Sequence, residues 1–359
     1  MTTVHNFNAG PAVLPAEVIA QIKHDLPNYA NTGISILESS HRAKEYESIN
    51  QRAIERFKRV IGLSDAFEIA FLQGGASMQF AMLPMNILTA NNCGAYVVSG
   101  VWAEKAYEEA GRIGTAHLAG STKTQQFRSL PNAATFDIPS NAAYTHICTN
   151  NTIYGTQWHT LPKVATPLVL DMSSDIASRP LDTNGVGMIY AGAQKNIGAA
   201  GVTAVAIHRD FAAQMHTKAP IILQYATHYK SQSLYNTPPT FSVYVLELVL
   251  AWIERVGVDT IAKQNAAKAG VIYDTIDASG GFYRGHSDIS CRSQMNITFR
   301  LPDEALEKTF LAEASAAGMI GLAGHRSVGG LRASLYNASP LTSAQTLAEV
   351  MREFQRTHG

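Results

Sequence analysis

Phe67-Glu-Ile-Ala-Phe-Leu72, then Gln73-Gly-Gly-Ala-Ser77, then a helical run opening at about Met78, set one strand, one glycine turn and one helix end to end. A short apolar run bounded by glycine reads as a buried strand, and a helix directly after it is the start of a crossover connection. The same alternation recurs on both sides. Residues 16–26 and 43–61 read as helices, and in the second Tyr46, Ile49, Ala53, Phe57 and Val60 recur at helical spacing among charged residues. Downstream, Ala95–Ser99, Thr145–Cys148, Pro167–Leu170, Met188–Tyr190 and Val202–Ile207 read as further strands, followed by long helices over 242–256 and 258–277. Apolar strands alternating with amphipathic helices predict an α/β fold with a mainly parallel sheet. A smaller α/β unit begins near residue 260, with strand Met295–Phe299, helix Asp303–Ala317 and strand Leu331–Ser334. The expected division is an N-terminal arm over 1–15, punctuated by Gly10-Pro11 and Pro15, a large domain over 16–260 and a small C-terminal domain over 261–359.

The 359 residues are 46% apolar and 16% charged, as expected of a compact enzyme with a large core. Lys plus Arg and Asp plus Glu number 28 each, so no global field draws the chain to nucleic acid or acidic membranes. An anionic ligand must therefore be met by a local cluster of cations. The three cysteines are far apart and form no C-x-x-C pair, which suits a reducing compartment. No basic stretch followed by an apolar one opens the chain, and no apolar run has spanning length, so the cytoplasm is the expected location.

Six features have chemical potential, each beside an ordinary explanation. Lys195 lies in Ala191-Gly-Ala-Gln-Lys-Asn-Ile-Gly198, just past a strand. A loop lysine is ordinarily solvated and inert, but small neighbours let a planar ligand approach, and crowding can lower an amine's pKa for condensation with a carbonyl. Asp171 ends the run Pro167-Leu-Val-Leu170, where it is either a helix cap or an acid facing a ligand at the strand ends of an open sheet. Gly74-Gly75-Ala76-Ser77 is either a tight turn or a helix start that holds a phosphate. Trp102 is a packing residue or a stacking platform, and Thr152 a turn residue or a hydroxyl donor. The loop Asn236-Thr-Pro-Pro-Thr240 is otherwise a simple helix lead-in.

The order of these features (phosphate turn, aromatic, hydroxyl, strand-end acid, lysine) resembles the fold-type I pyridoxal-phosphate enzymes. Five motifs narrow the likeness: Phe7-Asn-Ala-Gly-Pro-Ala-Val-Leu-Pro15, Ser40-His-Arg-Ala-Lys-Glu45, Tyr190-Ala-Gly-Ala-Gln-Lys-Asn-Ile-Gly198, Asn236-Thr-Pro-Pro-Thr240 and Gly324-His-Arg-Ser-Val-Gly-Gly-Leu-Arg-Ala-Ser334. Together they are similar to the motifs of the phosphoserine aminotransferases, in the class-V aminotransferase family. The resemblance implies the PLP-dependent transferase fold, like that of aspartate aminotransferase, with a seven-stranded sheet in the large domain. It also implies transfer of the amino group of L-glutamate to 3-phosphohydroxypyruvate, giving O-phospho-L-serine and 2-oxoglutarate, with pyridoxal 5′-phosphate as cofactor and no metal.

Carried over residue by residue, the resemblance puts covalent attachment of the cofactor on Lys195, its ring nitrogen on Asp171, its ring against Trp102 and its phenolic oxygen near Thr152. Its phosphate falls to Ala76, Ser77 and Gln194, with Asn236 and Thr237 from the other subunit of a homodimer. Arg332 takes the substrate α-carboxylate. His41 and Arg42, from across the dimer interface, join His325 and Arg326 around the distal anion. Taken singly, Arg42, Arg326 and Arg332 are ordinary surface cations. Ser77 stands where some members of the family carry an arginine, so neutralising the substrate phosphate falls to other cations. The alternatives are another transaminase on this scaffold, such as an alanine–glyoxylate aminotransferase, a cysteine desulfurase, or a binding protein that has lost catalysis.

Overall fold

A computed structural model describes residues 4–359. Seven strands form the principal sheet: β2 (Phe67–Leu72), β3 (Cys93–Val98), β4 (Ala116–Ser121), β5 (Ala142–Cys148), β6 (Leu168–Asp171), β7 (Val186–Gly192) and β8 (Thr203–His208). A short β1 (His5–Asn6) precedes them and pairs with β11 (Met319–Ile320). The order across the principal sheet is β2-β8-β7-β6-β5-β3-β4, and all its pairings are parallel except the two that β8 makes.

Strand alternation explains why these segments read as continuous apolar runs. Leu168, Leu170, Ile189 and Ala204 face one core cluster, while Val169, Met188, Tyr190 and Val205 face another. Helices α2 (Lys44–Ile61) and α7 (Thr240–Val256) cover the first face, and α3 (Gly75–Ile87) and α4 (Val101–Ile113) the second. With both faces buried, no polar alternation survives. The edge strand β4 escaped the sequence reading because Leu118 is exposed and no apolar run marks it. Helix α3 begins at Gly75 rather than near Met78, since Gly74 takes a left-handed φ of 87° and the glycine turn itself becomes the first helical turn.

A second core lies under the three-stranded antiparallel sheet of β9 (Arg284–Gly285), β10 (Asn296–Arg300) and β12 (Leu331–Ser334). Ile272, Ile297, Phe310, Leu347 and Phe354 fill it, together with Phe7 from the N-terminal segment. Of the segment 1–15 expected to form an arm, residues 1–3 lie outside the described ones.

Buried amides join the two cores. Asn150, just past β5, donates through Nδ2 to Ser174 Oγ at 2.8 Å and to Asn296 Oδ1 at 2.8 Å. Asn296 Nδ2 donates in turn to Ser334 Oγ at 2.9 Å and Tyr336 Oη at 3.1 Å. Asn296 is fully buried, so its loss leaves partners without solvent to replace it. The replacement Asn296→Ala is expected to destabilise the protein by about 2 kcal/mol. Urea unfolding checks this, and an unchanged midpoint with an unchanged slope would contradict it.

Candidate active site

Because β2, β3, β5, β6 and β7 run the same way, their carboxyl ends share one edge of the sheet. Ligands of open α/β sheets bind outside that edge. Here residues at or just past those ends, Gly75, Ala76, Ser77, Trp102, Thr152, Asp171, Gln194 and Lys195 among them, line one cavity.

Asp171 is the last residue of β6 and is only 4% exposed. Ser173 donates its backbone N–H to Asp171 Oδ1 at 3.0 Å. Burial pushes the carboxyl above its ordinary range, against the Ser173 hydrogen bonds and the Lys195 charge, which favour the anion. Lys195 follows β7 in a turn whose Ala193 and Ile197 are buried in the first core cluster. Its Nζ donates to Thr152 Oγ1 at 2.8 Å. Burial pushes the amine below the ordinary lysine value, while the Asp171 carboxylate pulls it back up. The two groups feel each other's charge and line one cavity, yet no ion pair joins them among the described residues. Space separates acid and amine.

The remaining walls supply an anion site and a flat surface. The N–H groups of Gly75, Ala76 and Ser77 open α3, and no side chain caps them. Gly74 is required here, because a Cβ would stand 2.6 Å from Met78 Cβ. Trp102, in the first turn of α4, lines the cavity with its indole Nε1 buried and unpartnered. Arg332, on β12, donates from Nη1 to the Thr152 carbonyl at 3.1 Å, while its Nε is buried without a partner. Burial pushes this guanidinium below its ordinary value, so an anion beside it would be welcome.

The single chain does not gather every candidate. Asn236 and Thr237 lie against Gln73, with Asn236 Nδ2 donating to Gln73 Oε1 at 3.4 Å and Gln73 Nε2 to the Thr237 carbonyl at 3.2 Å. They do not line the cavity, and neither do His41 and Arg42, which sit in the turn before α2, nor His325, Arg326 and Arg332. His325 bonds Ser327 Oγ at 2.7 Å within the loop before β12, and Arg326 beside it is exposed. The His325 imidazole is held below its ordinary value by burial, then by Arg332, Arg326 and Lys105.

Sequence reasoning passed over two supporting features. Asp175 is buried behind the site, where it accepts from Arg179 Nη1 at 2.9 Å and from Gln157 Nε2 at 3.2 Å. Residues 173–179 form turns and bends rather than a helix, so no helical spacing marked the pair in the sequence. Lys105 places its Nζ 4.9 Å from the centroid of the Trp102 ring, an attraction worth about 0.5–1 kcal/mol at an exposed site. Its position three residues past Trp102 puts both on one helix face.

These residues suit a flat, anionic, carbonyl-bearing heterocycle: uncapped N–H groups for a phosphate, an indole wall, a hydroxyl, a buried acid and an amine. The class-V aminotransferase family model matches residues 4–347. A phosphoserine aminotransferase of Herpetosiphon aurantiacus is 52% identical, over 99% of this chain and 100% of its own. The solved phosphoserine aminotransferase from Bacillus circulans subsp. alkalophilus is 47% identical with a TM-score of 0.97, covering 99% of each chain. The PLP-bound phosphoserine aminotransferase from Trichomonas vaginalis is 34% identical with a TM-score of 0.93, covering 98% of this chain and 100% of its own.

The opposed charges predict how the amine titrates. Carbamylation of Lys195 by cyanate in the cofactor-free protein, followed by peptide mass spectrometry, is expected to rise with pH through a midpoint below that of an ordinary lysine. Asp171→Asn removes the attraction that holds the proton on Nζ, so the midpoint is expected to move lower still. An unchanged or higher midpoint would contradict the coupling.

Proposed function

Because the chain belongs to the phosphoserine aminotransferases of the class-V aminotransferase family, we propose that the cavity at the strand ends is where its cofactor and substrates meet. The enzyme transfers the amino group of L-glutamate to 3-phosphohydroxypyruvate, giving O-phospho-L-serine and 2-oxoglutarate, a step of serine biosynthesis. Its cofactor is pyridoxal 5′-phosphate. When bound, that group supplies a carbonyl to carry the amino group and an electron-withdrawing ring to stabilise charge at the substrate Cα.

The chain's own residues divide the remaining work. Lys195 holds the cofactor covalently and, once displaced, its Nζ serves as the general base for the substrate Cα proton. Its depressed pKa favours that role, since a neutral amine can accept a proton. Asp171 keeps a proton on the ring nitrogen, and a cation in the cavity meets the charge that burial makes costly. The N–H groups of Ala76 and Ser77, with Gln194, hold the cofactor phosphate at the start of α3. Trp102 flanks the ring, and the Thr152 hydroxyl, now accepting from Lys195, serves the phenolic oxygen. Arg332 offers its unpartnered Nε to the substrate α-carboxylate.

The distal end of each substrate is anionic, a phosphate in one and a γ-carboxylate in the other. His325 and Arg326 approach it from the loop before β12. His41, Arg42, Asn236 and Thr237 stand away from the cavity of their own chain, and we assign them to the site of the other subunit in a homodimer. The three free cysteines suit a reducing compartment, and we place the enzyme in the cytoplasm. No helix among the described residues is long and apolar enough to cross a membrane.

The observation that carries this reading is the convergence of acid, amine, indole and uncapped helix start on one cavity. Spectra of the purified enzyme test it: L-glutamate is expected to bleach the bound cofactor's near-visible band, and 3-phosphohydroxypyruvate to restore it. Pyruvate and glyoxylate are expected to restore it far more slowly, and Lys195→Ala to lose both the band and turnover. Full turnover in that variant, or preference for a non-phosphorylated acceptor, would contradict the reading.

A further inference from the structure

Lys105 stands against Trp102, which lines the cavity, and the reaction just described gives it no task. It is exposed on α4, with Nζ over the ring of Trp102. Its neighbour Glu104 is engaged by Lys123, and among the described residues Lys105 itself has no acidic partner. The charge of Lys105 reaches the His325 ring together with those of Arg326 and Arg332, neither of which has a carboxylate partner among the described residues. Lys105, against the Trp102 wall of the cavity, thus adds its charge to that of Arg326 and Arg332 around His325, and among the described residues no carboxylate pairs with any of the four. Such a cluster repels itself unless an anion joins it. Ser77, on the α3 wall, offers a hydroxyl and no charge.

We propose that Lys105 is a specificity residue, leaving the Trp102 ring to bind the distal phosphate of the acceptor substrate. Its hold on the indole is weak, as expected for an exposed cation–π contact. A phosphate dianion attracts it about twice as strongly as the single charge of a γ-carboxylate at equal distance. A flexible point charge can also follow either anion, where a bidentate fork would fix one geometry. Lys105 therefore favours the phosphorylated substrate over glutamate within one shared pocket. The inference rests on the transamination assigned above.

The test is steady-state kinetics of the holoenzyme and two variants, with each substrate varied in turn. Lys105→Met is expected to raise KM for 3-phosphohydroxypyruvate about tenfold, KM for glutamate no more than about threefold, and to leave kcat within about twofold. Lys105→Arg keeps the charge and is expected to restore most of the lost affinity. Equal effects on both substrates, a fall in kcat alone, or no recovery with arginine would overturn the assignment. A wild-type enzyme that fails to turn over this substrate pair would overturn the transamination reading, and this inference with it. An active wild type with an unaffected Lys105→Met variant would overturn this inference alone.

Discussion

A carboxylate and an amine are buried at one sheet edge, near enough to feel each other's charge and too far apart to pair. Direct contact would give Asp171 and Lys195 an ordinary buried ion pair and close the site. Held apart, each carries a desolvation cost that its hydrogen bonds and the other's charge only partly offset, and that a ligand can relieve, one end by a cation and the other by a covalent bond. The cavity between them is therefore poised for a molecule with a basic nitrogen and a carbonyl at different positions.

What keeps them apart is the sheet. β6 and β7 are adjacent and parallel, with Asp171 paired in register to Tyr190, so Lys195 is carried beyond the strand end by the turn that follows Gly192. Burial of both sheet faces fixes those strands against slippage, because a one-residue shift would exchange the faces toward the two core clusters. The amides of Asn150 and Asn296 then tie the loop after β5 to the small sheet, which brings Arg332 against Thr152. Asp171, Lys195 and Arg332, the groups proposed above to act on cofactor and substrate, thereby share one frame although they come from distant parts of the chain.

Much of this frame is legible in the sequence. Pro167–Leu170 and Met188–Tyr190 read as strands because a doubly covered parallel sheet leaves unbroken apolar runs, and Asp171 and Lys195 stand out by following them. The glycine turn before α3 is visible for a backbone reason, its left-handed φ at Gly74. Other parts leave no local mark. β4 is a half-exposed edge strand, and Asn150 and Asn296 are partners across 146 residues of chain. Lys105 looks like any solvated helix lysine until Trp102 and His325 are placed around it. His41, Arg42, Asn236 and Thr237 are legible as motif residues, but one chain alone leaves them outside the cavity.

A crystal structure of the protein grown with pyridoxal 5′-phosphate measures most directly whether one ring fits between the two groups. The account predicts continuous density from Lys195 Nζ to the cofactor, with the ring nitrogen at hydrogen-bond distance from the Asp171 carboxylate, about 2.8 Å. A cofactor joined to another lysine, or a ring nitrogen facing away from Asp171, would contradict it.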